Sequence, residues 1–387
     1  MKDEAMKKTA DAGTGTTARV TGATPAQIAA VVGAPELVLP WLDRFYDGDD
    51  AALLIAVGAL RESSDAPGEG DEAQAGLEDV GQERLARAVR RAVLDRDEAG
   101  AYAPASFADR LDIWAMFEGW RDVPDDVRRC LADWATDDYT ASVRDDLEAL
   151  KAGAPSCSRE IDYTYLLLPE AEAVIAAEEH VYLWPCDCRA IVGSCDKPVD
   201  VCLRFDNDRG LGREISRERA VEILREGDAA GLTHTDYLGR SAGDKHAICN
   251  CCTDCCFPHR AAALVDAQGV WPRRRHLAVV DHDECTQCGT CAERCPFDAV
   301  TMSADDDPLV LAAECRGCGL CSTGCPAETI AMRPLAAPDR AGRRVSRPAP
   351  ACGSPPERRP PPAAPPTRRD TPRPATRPAA RRPAERH

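Results

Sequence analysis

Eight of the twenty cysteines repeat one spacing between residues 285 and 325. The first copy consists of Cys285, Cys288, Cys291 and Cys295, followed by Pro296. The second copy consists of Cys315, Cys318, Cys321 and Cys325, followed by Pro326. In each copy, three thiols separated by two residues can bind three corners of a polynuclear metal centre from one tight loop, so a fourth ligand must come from elsewhere. Gly289 and Gly319 fall at the same place in the two loops, where the backbone must turn.

The C-x2-C-x2-C-x3-C-P spacing resembles that of bacterial ferredoxins that hold two [4Fe-4S] clusters, over about residues 276–333. The resemblance implies one-electron transfer at low potential. It also implies that the last cysteine of each copy binds the cluster of the other copy. The implied ligands are Cys285, Cys288, Cys291 and Cys325 for one cluster, and Cys315, Cys318, Cys321 and Cys295 for the other.

Structural zinc is the alternative for this segment, because paired C-x2-C elements also bind zinc. Here each half has a third thiol and a C-x3-C-P ending, repeated at an offset of 30 residues. A zinc ribbon has no use for that arrangement. The spacing therefore favours iron–sulfur clusters.

Nine further cysteines lie upstream in two groups, at the ends of predicted strands. They are Cys186, Cys188, Cys195, Cys202, Cys249, Cys251, Cys252, Cys255 and Cys256. Thiolates at this density repel one another unless a cation neutralises them, so a reduced chain favours metal ligation. A third iron–sulfur cluster, a structural zinc site and a redox-active dithiol or plain buried thiols all stay open, and the spacing does not say which thiols bind together. Arg189 is expected either to act on a neighbouring thiol or to be an ordinary surface arginine.

The same two groups, ahead of the repeated spacing, resemble a group of cytoplasmic proteins. In that group an N-terminal helical domain and a cysteine-rich middle domain precede a dicluster ferredoxin domain. The resemblance rests on the cysteines and prolines of residues 185–202 and on residues 249–258, and it covers about residues 85–333. It implies an iron–sulfur protein but no particular reaction.

Charge is distributed unequally along the chain. Residues 334–387 hold thirteen arginines against four acidic residues, a net charge of +9, which leaves −26 for the rest of a chain of net charge −17. An acidic body repels nucleic acids and suits docking on a basic patch of a protein redox partner. No nucleic-acid ligand is therefore expected. Since neither a G-x-G-x-x-G motif nor a P-loop occurs, the electron donor is expected to be another protein.

A cytoplasmic location is expected for this chain. No apolar leader follows the polar start at residues 1–8, and the longest apolar stretch, residues 51–60, is too short to span a bilayer. Neither a secretory signal nor a transmembrane segment is therefore predicted.

Composition and periodicity predict an α+β protein of five regions. These are a disordered start at 1–22, an all-α domain at 24–150, a cysteine-rich α+β sandwich at 160–262, a ferredoxin domain at 276–333 and a disordered Pro/Arg-rich tail at 334–387. Within the sandwich the predicted order is β-α-β-β-α-β, of the ferredoxin-like type.

Element boundaries are predicted from capping and turn signals. Thr24 and Pro25 are expected to open the first helix, and a later helix is expected over residues 82–97. In the repeat, strands 277–280 and 299–302 are expected to pair, as are strands 309–311 and 329–332.

These patterns predict an electron-transfer protein with two [4Fe-4S] clusters and at least one more metal or redox centre in the middle domain. The eight cysteines of the repeat are predicted to be ligands, and no catalytic residue is assigned. One rival is an oxidoreductase whose middle-domain thiols form the active centre. The other is a redox sensor whose helical domain docks a partner in one cluster state.

Overall fold

The computed structural model describes residues 23–63, 80–97, 100–154, 163–207, 209–237 and 246–335. The predicted disorder of residues 1–22 and nearly all of the predicted tail lie outside these ranges. Cys157 and Cys352 lie outside them as well. All described residues belong to one compact part of the chain.

The N-terminal region is built from helices around an apolar core. Its α-helices are α1 (Pro25–Val32), α2 (Leu42–Phe45), α3 (Gly48–Ser63), α4 (Gln82–Arg90), α5 (Phe107–Phe117) and α6 (Asp125–Lys151). Two 3-10 turns span Glu36–Trp41 and Trp120–Asp122. Thr24 caps α1 in a reciprocal capping box with Gln27, so the predicted helix start is confirmed.

The predicted helix over residues 82–97 is wrong at its C-terminal end. The helix stops at Arg90, and Ala92 takes a left-handed conformation with φ of 52°. The Val93 N–H then bonds to the Ala88 carbonyl at 2.9 Å, which closes the helix end. The chain continues as β1 (Leu94–Arg96), which pairs with β2 (Tyr102–Pro104) in a short antiparallel hairpin.

A six-stranded antiparallel sheet forms the middle region. Its strands are β3 (Tyr163–Leu166), β4 (Val181–Pro185), β5 (Asp200–Arg204), β6 (Arg213–Ile215), β7 (Thr233–Tyr237) and β8 (Ala247–Cys251), in the spatial order β3-β7-β8-β5-β4-β6. The α+β class is confirmed, but the ferredoxin-like strand order is wrong. In a split βαβ arrangement one strand separates the first two, whereas here three strands separate β3 from β4.

Helices cover both faces of this sheet. They are α7 (Leu168–Ala177), α8 (Asp187–Val192), α9 (Arg217–Ala229) and α10 (Phe257–Leu264). Helices α7 and α9 bury Ile175 and Leu224 against Leu203 and Ile248 on one face. On the other face α6 and α10 pack together, with the Phe257 ring stacked near Tyr139. The predicted two-layer sandwich therefore has a third layer.

The C-terminal region carries the internal repeat. Its elements are β9 (His276–Val280), α11 (Thr290–Glu293), β10 (Val300–Met302), β11 (Pro308–Val310), α12 (Leu320–Thr323) and β12 (Ile330–Pro334). The predicted strand pairing is wrong, because β9 pairs with β12 and β10 pairs with β11. The first and last strands thus join the two halves of the repeat, which brings the end of each half close to the loop of the other.

Among the described helices, none combines the length and the apolar character needed to cross a membrane. The longest, α6, has 27 residues and carries charged residues along its whole length.

Candidate metal centres

The first set of repeat cysteines lines one cavity. The cysteines in its wall are Cys285, Cys288, Cys291 and Cys325. Apolar walls come from Val280 and Ile330 on the paired strands β9 and β12, together with Pro308. The fourth cysteine of this cavity therefore comes from the opposite half of the repeat.

The second set lines a separate cavity. Its cysteines are Cys295, Cys315, Cys318 and Cys321. Phe297, Ala278 and Met332 supply apolar surface. Burial raises the pKa of Cys321 to about 12, so an added cation is needed before this thiol ionises.

The two loops have matching backbone geometry. Gly289 and Gly319 take positive φ angles of 75° and 89° and each begins a short helix. Backbone N–H groups are directed towards sulfur in the first half, from Gln287 to Cys285 at 3.4 Å and from Ala299 to Cys295 at 3.2 Å. Such N–H groups stabilise thiolate ligands and tune the potential of a bound cluster.

Comparison with protein families agrees with this geometry. Residues 278–332 match the family model of the 4Fe-4S dicluster domain. This segment is a dicluster ferredoxin-type domain. The resemblance predicted from the cysteine spacing is therefore confirmed for these residues. The comparison with curated proteins gave no match.

The two cavities of the ferredoxin-type domain differ in exposure. Cys288 of the first cavity is exposed, whereas Cys315 and Cys321 of the second are buried. The second cavity also faces the middle region, because a Cβ atom at Gly319 would lie 2.9 Å from the Leu167 side chain. The first cavity is thus nearer to solvent and the second nearer to the middle region.

Asp228 on α9 holds the ferredoxin-type domain against the middle region. Its carboxylate accepts hydrogen bonds from Arg294 at 2.9 Å and from the Thr323 hydroxyl at 2.8 Å. Only 6% of Asp228 is exposed. The basic segment 271–275 adds a second connection, since Arg274 donates to the carbonyl of Cys315 at 2.9 Å and Arg275 pairs with Glu170 at 2.7 Å.

Three of the nine middle-region cysteines meet at one point. The sulfur of Cys195 lies 3.8 Å from that of Cys252 and 3.5 Å from that of Cys255, within the range for joint metal ligation. Ser194 Oγ lies 3.3 Å from the Cys255 sulfur. We call this group the three-thiol site, and it is able to hold a metal ion.

The other six cysteines form a second group. Each thiol interacts with the next one in the order Cys202, Cys249, Cys251, Cys256, Cys188 and Cys186. We call this group the six-thiol row. All nine candidates thus lie near at least one other thiol, and each of the eighteen cysteines that the structure describes is free of disulfide bonds.

Arg189 lies between the two groups and is not a surface residue. It is 2% exposed and donates to the Asn250 carbonyl at 3.0 Å. Burial would lower the pKa of Arg189, but the nearby sulfurs of Cys186 and Cys252 outweigh this effect and raise it. The hydrogen bond from Cys255, supported by Arg189, lowers the pKa of Cys252 below its usual value.

A hydrogen-bonded pair connects the middle region to the second cavity. Tyr165 Oη lies 2.9 Å from His259 Nε2, and His259 Nδ1 lies 3.1 Å from the Cys252 carbonyl oxygen. Both rings also contact the ring of Phe297, with centroids 5.9 and 5.8 Å away. No local pattern predicts this connection, because Tyr165 and His259 are 94 positions apart.

Two other histidines near the cysteine groups, His246 and His276, lie beside acidic side chains. His246 bonds to Asp236 at 2.8 Å and to Glu178 at 3.2 Å. His276 is buried near Glu170. Cys130 is an exposed thiol on α6.

Proposed function

We propose that this chain is an electron-transfer protein that passes single electrons through two [4Fe-4S] clusters. One observation carries the proposal: the eight repeat cysteines line two separate cavities, four to each cavity. The ligands of the first cluster are Cys285, Cys288, Cys291 and Cys325. The ligands of the second are Cys295, Cys315, Cys318 and Cys321.

The residues around the cavities fit this role. A bound cluster supplies reversible one-electron chemistry. Val280, Ile330 and Pro308 limit water at the first cavity, and Phe297 and Met332 do so at the second. Limited solvent access and N–H groups near sulfur are the features by which a protein tunes the potential of a cluster.

The first cavity is more exposed than the second, and this difference defines a direction for electron transfer. Electrons arrive near exposed Cys288 and leave from the second cavity towards the middle region, across Phe297 and the Tyr165–His259 pair. Exposed acidic residues surround the first loop, namely Asp281, Asp283, Glu284, Asp305 and Asp306. A protein donor with a basic docking patch fits this surface, and its association rate should fall as salt concentration rises.

The middle region receives the electrons at an additional metal centre. The three-thiol site supplies Cys195, Cys252 and Cys255 as ligands. The positive charge of the nearby Arg189 guanidinium favours the thiolate form of Cys252 and offsets the negative charge of this site.

The decisive experiment is metal analysis of the full chain purified without oxygen. We expect iron, acid-labile sulfide and electron paramagnetic resonance (EPR) signals of two reduced [4Fe-4S] clusters. Cys288→Ser should abolish the signal of the first cluster and Cys318→Ser that of the second, while Cys130→Ser should keep both. The proposal is wrong if reconstituted wild-type protein lacks sulfide, or if the two ligand variants keep both signals.

An oxidoreductase is the second candidate, and one feature favours it. Cys195 and Arg189 line a groove of about 1700 Å³ that also contacts Trp120 and Pro185. A metal at the three-thiol site has room for a fourth ligand, and an open coordination position is typical of catalytic sites. Turnover of a disulfide probe, oxidised glutathione, with reduced clusters as the electron source would support this candidate. Cys195→Ser should then abolish turnover and keep the ferredoxin signals.

A further inference from the structure

The six-thiol row follows from the register of two neighbouring strands. Leu203 on β5 pairs with Ile248 on β8, so Cys202 and Cys249 fall opposite each other. Cys249 and Cys251 are two residues apart on β8 and therefore point to the same face of the sheet. This face is the one covered by α10, and the opposite face buries Ile248.

Two helix starts complete the row. Cys256 is the residue that caps α10, and its thiol contacts those of Cys251 and Cys188. Cys188 lies in the first turn of α8 and also contacts Cys186. Each of the four inner members, Cys249, Cys251, Cys256 and Cys188, therefore contacts two other thiols, while Cys202 and Cys186 at the ends contact one.

Hydrogen-bond donors surround the inner sulfurs. The Phe257 N–H at the start of α10 donates to Cys188 at 3.3 Å. The hydroxyls of Tyr163 and Thr235 lie 3.8 and 3.6 Å from the Cys251 sulfur, and both residues are buried. Thiolate ligands are commonly stabilised by such donors.

A buried cation lies beside the row. The Nε of Arg189 is buried and has no hydrogen-bond partner, and the guanidinium lies near the sulfurs of Cys186 and Cys251 in this row as well as that of Cys252 in the three-thiol site. A buried guanidinium needs negative charge nearby, because desolvation of an isolated charge is costly. Neutral thiols do not provide that charge, whereas thiolates bound to a metal cluster do.

We propose that the six-thiol row binds an iron–sulfur cluster, with Cys188, Cys249, Cys251 and Cys256 as its ligands. A single tetrahedral zinc ion uses four thiolates at one point, whereas these sulfurs extend in a row across a strand and two helix starts. A polynuclear centre fits such an extended set. It is distinct from the three-thiol site and from both clusters of the ferredoxin-type domain.

The test compares iron, zinc and acid-labile sulfide in full-length variants purified without oxygen. Cys251→Ser combined with Cys256→Ser should lose about four irons and four sulfides per chain relative to wild type. The EPR signals of the ferredoxin-type domain should persist. Cys202→Ser, at the end of the row, is the matched control and should retain the full iron and sulfide content.

A second double variant keeps the test decisive if the Cys251 and Cys256 variant does not fold. Cys288→Ser combined with Cys318→Ser removes a ligand from each ferredoxin cluster, and about four sulfides per chain should remain at the six-thiol row. No remaining sulfide would overturn the proposal, as would loss of zinc in place of iron from the Cys251 and Cys256 variant. Failure of the proposed function would look different, since Cys288→Ser and Cys318→Ser would then leave the sulfide content unchanged.

Discussion

Tyr165 Oη and His259 Nε2 lie 2.9 Å apart in the buried space between the second ferredoxin cavity and the middle-region thiols. Phe297, which lines that cavity, contacts both rings, and His259 reaches the carbonyl of Cys252. In the proposed function, electrons that leave the second cluster pass to the three-thiol site through these packed side chains. This relationship makes the electron-transfer proposal testable one side chain at a time.

Tyr165→Phe keeps the ring and removes the phenolic donor. We expect a loss of about 1–2 kcal/mol in the free energy of unfolding, because His259 loses a buried hydrogen-bond partner. Reoxidation of the ferredoxin clusters by the middle-region centre should slow, while iron content stays unchanged. Urea titration and rapid-mixing absorbance measure the two effects. Tyr182→Phe is the control, and a wild-type reoxidation rate in Tyr165→Phe would exclude this route.

Asp228→Ala should loosen the ferredoxin-type domain. The substitution leaves Arg294 and Thr323 without their shared acceptor and should cost about 2 kcal/mol, since the carboxylate is buried. Hydrogen exchange should rise over α11 and α12. Arg219→Ala on the exposed face of the same helix breaks only surface ion pairs and should leave the free energy of unfolding nearly unchanged. Equal hydrogen exchange over α11 and α12 in Asp228→Ala and Arg219→Ala would contradict a docking role for Asp228.

Arg110→Met should destabilise the N-terminal region strongly. The guanidinium is fully buried and donates to the Phe45 carbonyl at 2.8 Å and to Glu118 at 2.6 Å. Burial would raise the pKa of Glu118, but the bonds from Arg110 and Arg91 outweigh this effect and lower it. Breaking such a network costs about 3–5 kcal/mol. Thermal unfolding should show this loss, and the surface variant Arg128→Ala should remain within about 1 kcal/mol of wild type.

Local signals in the sequence predicted the features that depend on neighbouring residues. The cap at Thr24 and the positive φ at Gly289 and Gly319 follow from residue types at fixed positions. The cysteine spacing likewise placed three members of each predicted set in one loop. The fourth member was implied by the resemblance to ferredoxins, and its role as a ligand stays a prediction.

Features that depend on distant contacts could not be predicted in the same way. The burial of Arg189 depends on the Asn250 carbonyl, 61 positions away. The division of the nine thiols into the three-thiol site and the six-thiol row depends on the register of β5 against β8 and on the packing of α10. Helix α4 ends early because the residues after it form a hairpin with β2. Strand β2 lies outside residues 82–97, so the periodicity of that segment could not predict the hairpin.

His246 predicts a pH dependence of stability. Its hydrogen bond to Asp236, with a further contribution from Glu178, raises its pKa above the usual 6.5. A raised folded-state pKa means that the stabilisation is fully present below about pH 6.5 and is lost as pH rises through the folded-state value. Urea unfolding across this window should show the decline in wild type. His246→Gln should remove it, and an unchanged pH profile in that variant would assign the dependence to other groups.

Gly317→Ala should damage the second cluster site more than Gly289→Ala damages the first. Both glycines have positive φ, at 68° and 75°, which alone costs a residue with a Cβ about 1–2 kcal/mol. A Cβ at Gly317 would also lie 2.2 Å from the His276 carbonyl oxygen, whereas nothing lies within 4 Å of one at Gly289. Because the His276 backbone occupies the space that a Cβ at Gly317 would need, the loop that holds Cys315 and Cys318 must shift. We expect Gly317→Ala to lower iron content and to reduce the EPR signal of the second cluster. Equal stability and iron content in the two variants would show that the loop absorbs this contact without moving its cysteines.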